Sequence, residues 1–137
     1  CGKHGCLEQY SSATGVVRCM KKLLDENPDT PCTLRGTHFE AKDVFDAARS
    51  GDALAAREVD EMTDTLGMAL ANVANTVDPE MFMVGGGVSR AGDVLFTPLR
   101  AHFKTYAFKS CRETPIVAAT LGNDAGIYGS VRLIVGE

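Results

Sequence analysis

The run Pro79-Glu80-Met81-Phe82-Met83-Val84-Gly85-Gly86-Gly87-Val88-Ser89 constrains this chain more than any other stretch. Four apolar residues in succession, Met81 to Val84, read as a strand buried on both faces. Three glycines then allow a tight turn and leave no side chain between backbone and ligand. Ser89 is placed to cap a helix running toward Leu95. Strand, glycine turn and helix start together form an edge suited to an anion or a nucleotide. A plain tight turn would use the same glycines, so the neighbouring segments decide.

Those segments belong to a small unit. A length of 137 residues predicts one domain with a real core, short for a two-lobed enzyme. The net charge of −4 and the lack of a Lys/Arg stripe give no electrostatic footprint for nucleic acid. No apolar run approaches the roughly 20 residues of a membrane span, and no signal peptide is present, which predicts a cytoplasmic protein. Five cysteines, an odd number, argue against a disulfide framework, and Cys19, Cys32 and Cys111 read as reduced thiols.

Taken in order, the chain opens on Cys1-Gly2-Lys3-His4-Gly5-Cys6, a knuckle that turns two thiols toward one point. Two thiolates make half of a tetrahedral zinc site; unpaired cysteines in a turn fit the spacing equally well. From Leu7 the pattern is helical, with Gly15 as the expected break and Ser12 or Thr14 as a second cap. Glu8 falls in the first turn, where the helix dipole favours a carboxylate. Residues 27–36 read as loop. A short helix over Ala41–Arg49, with Val44, Phe45 and Ala48 inward, ends at Gly51. Asp52 then caps the longest helix, whose apolar stripe runs from Leu54 through Val73 to Val77. Its charges Glu58, Asp60, Glu61 and Asp64 read as a solvated face. The small residues from Gly67 to Ala74 predict close packing against a sheet or another helix.

Beyond the glycine run, Thr97-Pro98 is expected to restart a helix, with Leu99, Phe103 and Tyr106 inward. Pro115–Ala119 reads as a second buried strand. It leads into a last helix whose glycines at 122, 126 and 129 share one face and predict a close backbone neighbour. Helices alternating with two strands give an α/β unit with a parallel pair and right-handed crossovers. The sheet is thin, so a further strand is expected from chain upstream.

Three blocks now stand in order: Cys1-Gly2-Lys3-His4-Gly5-Cys6-Leu7-Glu8, Val84-Gly85-Gly86-Gly87-Val88-Ser89 and Leu121-Gly122-Asn123-Asp124-Ala125-Gly126. Together they resemble the C-terminal part of the ROK family of bacterial sugar kinases and sugar-responsive repressors. Ser12-Ala13-Thr14-Gly15-Val16-Val17-Arg18 and Ala41-Lys42-Asp43-Val44-Phe45 look most like its glucokinase branch. The likeness covers nearly the whole chain. The cysteine block joined to Leu7-Glu8 is the specific part; the glycine block alone is not.

The resemblance implies an actin-like ATPase (ribonuclease H-like) fold, of which residues 1–137 would be the C-terminal lobe, with ATP and sugar sharing one cleft. It makes Glu8 a sugar-binding residue, reversing the helix-dipole reading. It makes Gly85, Gly86 and Gly87 the lining of the nucleotide pocket, and Cys1 and Cys6 ligands of a structural Zn²⁺. The family's remaining zinc ligands, its first phosphate loop and its catalytic aspartate lie upstream of the matching region. The expectation is therefore a fragment with no catalytic residue of its own and inactive alone. Its parent would transfer the γ-phosphoryl of ATP, with Mg²⁺, to glucose. A kinase for fructose or N-acetylmannosamine is the near variant, and a sugar-sensing repressor with an upstream DNA-binding domain the other class. A lobe with exposed apolar surface is also expected to form a homo-oligomer.

Overall fold

The computed structural model describes residues 2–121 and 124–136. Helices α1 (Glu8–Ser11), α2 (Ala13–Glu26), α3 (Ala41–Arg49) and α4 (Ala53–Val77) come first. Strand β1 (Phe82–Val84), a 3₁₀ turn (Gly87–Ala91), α5 (Asp93–Tyr106), β2 (Ile116–Ala118) and α6 (Ala125–Val135) follow. β1 and β2 pair in parallel, with Phe82 opposite Ile116 and Val84 opposite Ala118. The pairing extends one bond each way, Phe82 N to Pro115 O at 2.8 Å and Ala119 N to Val84 O at 2.9 Å.

α4 is the axis of the fold. Asp52 caps it, accepting from the amides of Leu54 and Ala55 at 3.1 Å. The same carboxylate takes the amide of Thr33 at 2.7 Å, so the cap also ties down the preceding loop. α3 carries a reciprocal cap between Glu40 and Asp43 and ends as expected before Gly51, whose φ is 92°. Val44, Phe45, Leu54, Val59 and Met62 bury into one core with Met20 of α2 and Leu95, Leu99 and Phe103 of α5. The small residues work as predicted, against a helix. A Cβ on Gly67 would stand 2.8 Å from the backbone nitrogen of Phe103, so α4 and α5 cross nearly backbone to backbone.

Several expectations are corrected. The first helix breaks at Ser12, not Gly15, which lies buried inside α2. β1 is not buried on both faces: Met81 is 50% and Met83 71% exposed, while Phe82 and Val84 turn inward. Ser89 caps no helix; it lies within the 3₁₀ turn and its hydroxyl donates to the Gly86 carbonyl at 2.7 Å. α5 starts at Asp93 and runs through Pro98 without a restart, giving up one amide in its second turn. Val73 and Val77 are exposed, and so is Tyr106, whose hydroxyl donates to Asp64 at 2.8 Å. α6 has no buried residue, and a Cβ on Gly126 or Gly129 would meet nothing, so no close neighbour exists for that helix among the described residues. Gly122 and Asn123 lie outside them. Cys6, Cys19, Cys32 and Cys111 are free thiols.

The acidic run on α4 is only partly a solvated face. His102 of α5 meets Asp60 at 2.8 Å through Nε2 and Asp64 at 3.1 Å through Nδ1, pinning the two helices together. Glu61 pairs with Arg57 at 2.7 Å. Glu58 is 2% exposed, on the same stripe as Leu54, Ala55 and Met62. Burial, reinforced by the Glu61 carboxylate and opposed by the Arg18 guanidinium, pushes the Glu58 pKa up to about 8 from an ordinary 4.5. Between those values the folded chain holds a proton that the unfolded chain has released. The group's stabilising contribution is therefore complete at low pH and lost as pH rises through that window, by at most ~1.4 kcal/mol per pH unit. Glu58→Gln keeps the shape of the protonated form. Its melting temperature should match the parent at pH 5 and exceed it by several degrees at pH 8; equal melting at both values would refute the buried-acid account.

Candidate functional site

Glu8 opens α1, a single turn without a buried residue. Polar neighbours hold its carboxylate. Oε2 accepts from Gln9 Nε2 at 2.7 Å, and Oε1 from the hydroxyls of Ser12 at 3.1 Å and Thr14 at 3.3 Å. Ser12 serves twice, because its oxygen also caps α2 by accepting from the Gly15 amide at 3.0 Å. The turn can lie against α2 only because residue 15 is glycine: a Cβ there would come within 2.9 Å of the Gln9 carbonyl. Arg18, one turn further along α2, donates to that same carbonyl and sits 5.4 Å from the centre of the Tyr10 ring. With one bond on Oε2, the exposed Glu8 carboxylate keeps acceptor capacity toward solvent.

Beside this turn, α2, α3 and the 3₁₀ turn line a half-open cavity of about 790 Å³, within the range of small-molecule sites. α2 presents Thr14, Val17, Arg18 and Lys21 to it, α3 and its lead-in give Phe39 and Phe45, and Gly87 and Val88 close the third side. Lys42 and Arg90 join Arg18 and Lys21 at the rim, four cations against the carboxylates of Glu40 and Asp46. Asp46 is already engaged by Lys42 at 3.0 Å and by Arg49. Arg49 in turn donates to the Ala91 carbonyl at 2.9 Å, fastening α3 to the 3₁₀ turn. An apolar cleft, backed by the buried Phe39 and Phe45 and carrying surplus positive charge, suits a ligand with an apolar part joined to an anionic tail.

The three glycines separate by role. Gly86 has φ 84° and ψ −177°, a region essentially reserved to glycine. Gly85 and Gly87 have no such need: a Cβ would find Ala119 at an ordinary 3.6 Å in the first case and nothing in the second. All three are exposed, so the backbone edge is open. The helix that follows is five residues of 3₁₀, and the start of α5 already carries Asp93. Anion binding here therefore rests on the backbone of the turn, not on a helix terminus.

Among the described residues, Gly87 is the only predicted site residue that lines the cavity, and Glu8 meets it indirectly, through the hydroxyl of Thr14, which does line it. Gly85 and Gly86 lie just outside. Cys1 falls outside the described residues. Cys6 is a half-buried thiol, and among the described residues no three His, Cys, Asp or Glu side chains converge to hold a metal. One described thiol does not by itself fit a four-donor zinc site. Sequence reasoning missed Thr14, Arg18, Lys21 and Phe39. For the three on α2 the signal was a stripe at positions 14, 17, 18 and 21, beside the core stripe of 16, 20, 23 and 24.

A profile described as the ROK family matches residues 1–137. The glucokinase of Halalkalibacterium halodurans is 43% identical over 138 residues, covering 98% of this chain and 42% of that protein. The DNA-binding transcriptional repressor Mlc of Escherichia coli is 25% identical over 134 residues, covering 98% of this chain and 32% of the repressor. Among solved structures, a ROK family glucokinase from Streptomyces griseus in complex with glucose and AMPPNP superposes with a TM-score of 0.85 at 34% identity. It is covered to 45%, and this chain to 97%. The fold is that of the actin-like ATPases, helix-rich here around its two-stranded parallel sheet. The chain spans less than half the length of these relatives.

The glycine analysis makes a direct prediction. Gly86→Ala should lose ~1–3 kcal/mol of stability to backbone strain. Gly87→Ala should melt at the parent's temperature or slightly above it, by up to ~1 kcal/mol, through a less flexible unfolded state. Thermal melts of the two variants check this, and equal losses would mean the turn is not held as described.

Proposed function

The chain belongs to the ROK family, and on that premise we propose that its parent protein is an ATP-dependent sugar kinase of the glucokinase type. It transfers the γ-phosphoryl of ATP to the 6-hydroxyl of glucose. The observation carrying this reading is the single cavity that joins the glycine edge, at Gly87, to the support of Glu8, at Thr14. A phosphoryl donor and its acceptor must meet end to end, and this arrangement offers a place for each.

In this reading the base and ribose of ATP occupy the cavity between Phe39, Phe45 and Val88, and the triphosphate runs along the bare backbone of Gly85, Gly86 and Gly87. The surplus cations at the rim favour its charge. A Mg²⁺ ion bound with the nucleotide would supply neutralisation of the phosphate charge. Glu8, fixed on one side by Gln9, Ser12 and Thr14, accepts hydrogen bonds from sugar hydroxyls on the other. The general base that takes the proton of the reacting hydroxyl is assigned outside residues 1–137, so the 137-residue chain alone should bind without turnover. Cys1 and Cys6 supply two of the four donors a structural zinc needs. The described helices include none long and apolar enough to cross a membrane, and a cytoplasmic setting is part of the proposal. So is self-association through exposed apolar groups such as Met83, Leu133 and Ile134.

The likeness to the Mlc repressor supports a second reading, a sugar sensor that shares the binding lobe and lacks turnover. A coupled assay on the intact protein with glucose, fructose and N-acetylmannosamine separates the two. Turnover fastest on glucose supports the kinase, whereas sugar-dependent operator binding without turnover supports the sensor.

Glu8 has its own test. A hydrogen bond to a charged group is worth roughly 1.5–3 kcal/mol, so Glu8→Gln in the intact protein should cut kcat/KM for glucose at least about tenfold, with ATP affinity little changed. The melting temperature should hardly move, since α1 buries nothing. A falling melting temperature with intact glucose kinetics would return Glu8 to a helix-dipole role. For the 137-residue chain, metal analysis should find no tightly bound zinc held by one chain alone. One full equivalent held within a monomer would contradict the two-donor count.

A further inference from the structure

Arg18 touches both halves of the site, and we infer that its guanidinium couples them: a nucleotide filling the α2–α3 cavity tightens the protein's hold on the sugar at Glu8. The inference rests on the sugar-kinase reading above and concerns how its two ligands sense each other.

The geometry places Arg18 at a junction. On one side its Nη2 donates to the carbonyl of Gln9, the peptide next to Glu8, and its guanidinium lies 5.4 Å from the centre of the Tyr10 ring. Those two contacts join α2 to α1, a turn with no buried side chain of its own, alongside the Thr14 hydroxyl on Glu8 and the close approach at Gly15. On the other side Arg18 lines the cavity. A guanidinium has five N–H donors in a rigid fork, and the Gln9 carbonyl takes one direction of it. The side chain is exposed, so its long stem loses rotamer freedom whenever it is held in this pose.

A polar ligand that accepts from the remaining donors fixes the fork in the pose that grips Gln9. Fixing Gln9 fixes the α1 turn, and with it the direction in which Glu8 presents its free acceptor sites. The first ligand thereby meets an ordering cost that the second would otherwise bear. By linkage the effect is reciprocal: sugar at Glu8 strengthens nucleotide binding by the same factor. Lys21 lines the same cavity but lies over the Phe39 ring, 6.0 Å from its centre, and among the described residues no hydrogen bond or ion pair joins it to α1. It is the natural control.

The test is calorimetry on the intact protein, measuring the Kd for glucose with and without saturating AMPPNP. The parent should bind glucose about fivefold tighter, or more, when the analogue is present. Arg18→Met keeps the apolar stem and removes the fork, so that ratio should fall to near one. Lys21→Met should weaken the analogue yet keep the parent ratio. Should Arg18→Met fail to fold, Arg18→Lys keeps the charge without the fork and should lose most of the ratio. A parent ratio of one overturns the inference, as does a full ratio in the folded arginine variant. If the parent binds neither ligand, the sugar-kinase reading falls and this inference falls with it. Binding of both without coupling overturns this inference alone.

Discussion

The crossing of α4 and α5 at Gly67 is the contact on which the rest of the molecule depends. With the backbone nitrogen of Phe103 only 2.8 Å from where a Cβ would stand, no side chain fits between the two helices. That approach brings Leu95, Leu99 and Phe103 onto the core face of α4 and sets the height of the glycine turn that precedes α5. The other half of α4 carries α2 and α3, so one helix fixes both walls of the cavity relative to each other. The His102 bridge to Asp60 and Asp64 locks the same crossing from the surface.

Much of this was legible in the chain. The Asp52 cap, both ends of α3 and the small-residue stretch of α4 follow from local chemistry that tertiary structure did not override. Where reading failed, two local signals competed or a chemical label hid a position. Ser12 and Gly15 both mark a break; the hydroxyl won because it satisfies an amide, while the glycine was required for a close approach no spacing reveals. Glu58 sits in phase with Leu54, Ala55 and Met62, so periodicity alone would have buried it, but its charge assigned it to water. An unbroken apolar run such as Met81 to Val84 is silent about whether one face or two will be covered.

The site was legible in pieces and not as a whole. Glu8 and the glycine turn stand nearly eighty positions apart, and each has a bland local use. The cavity beside them is built largely from helix residues without a motif, and Phe45 reads as core, where it is indeed buried. What sequence could not supply was the relation between the pieces, which is a property of helix packing.

The way Glu8 is mounted has a consequence for how such a protein can change over generations. Its turn contributes nothing to the core and is fastened by hydroxyls, one carbonyl and a bare glycine, so substitutions between residues 7 and 10 fall outside the packing that keeps the molecule folded. A lineage can try new side chains there while the stability reserve stored along α4 stays intact. Ligand preference is thereby left open to drift and selection in a segment where most errors are survivable, on a frame where few are.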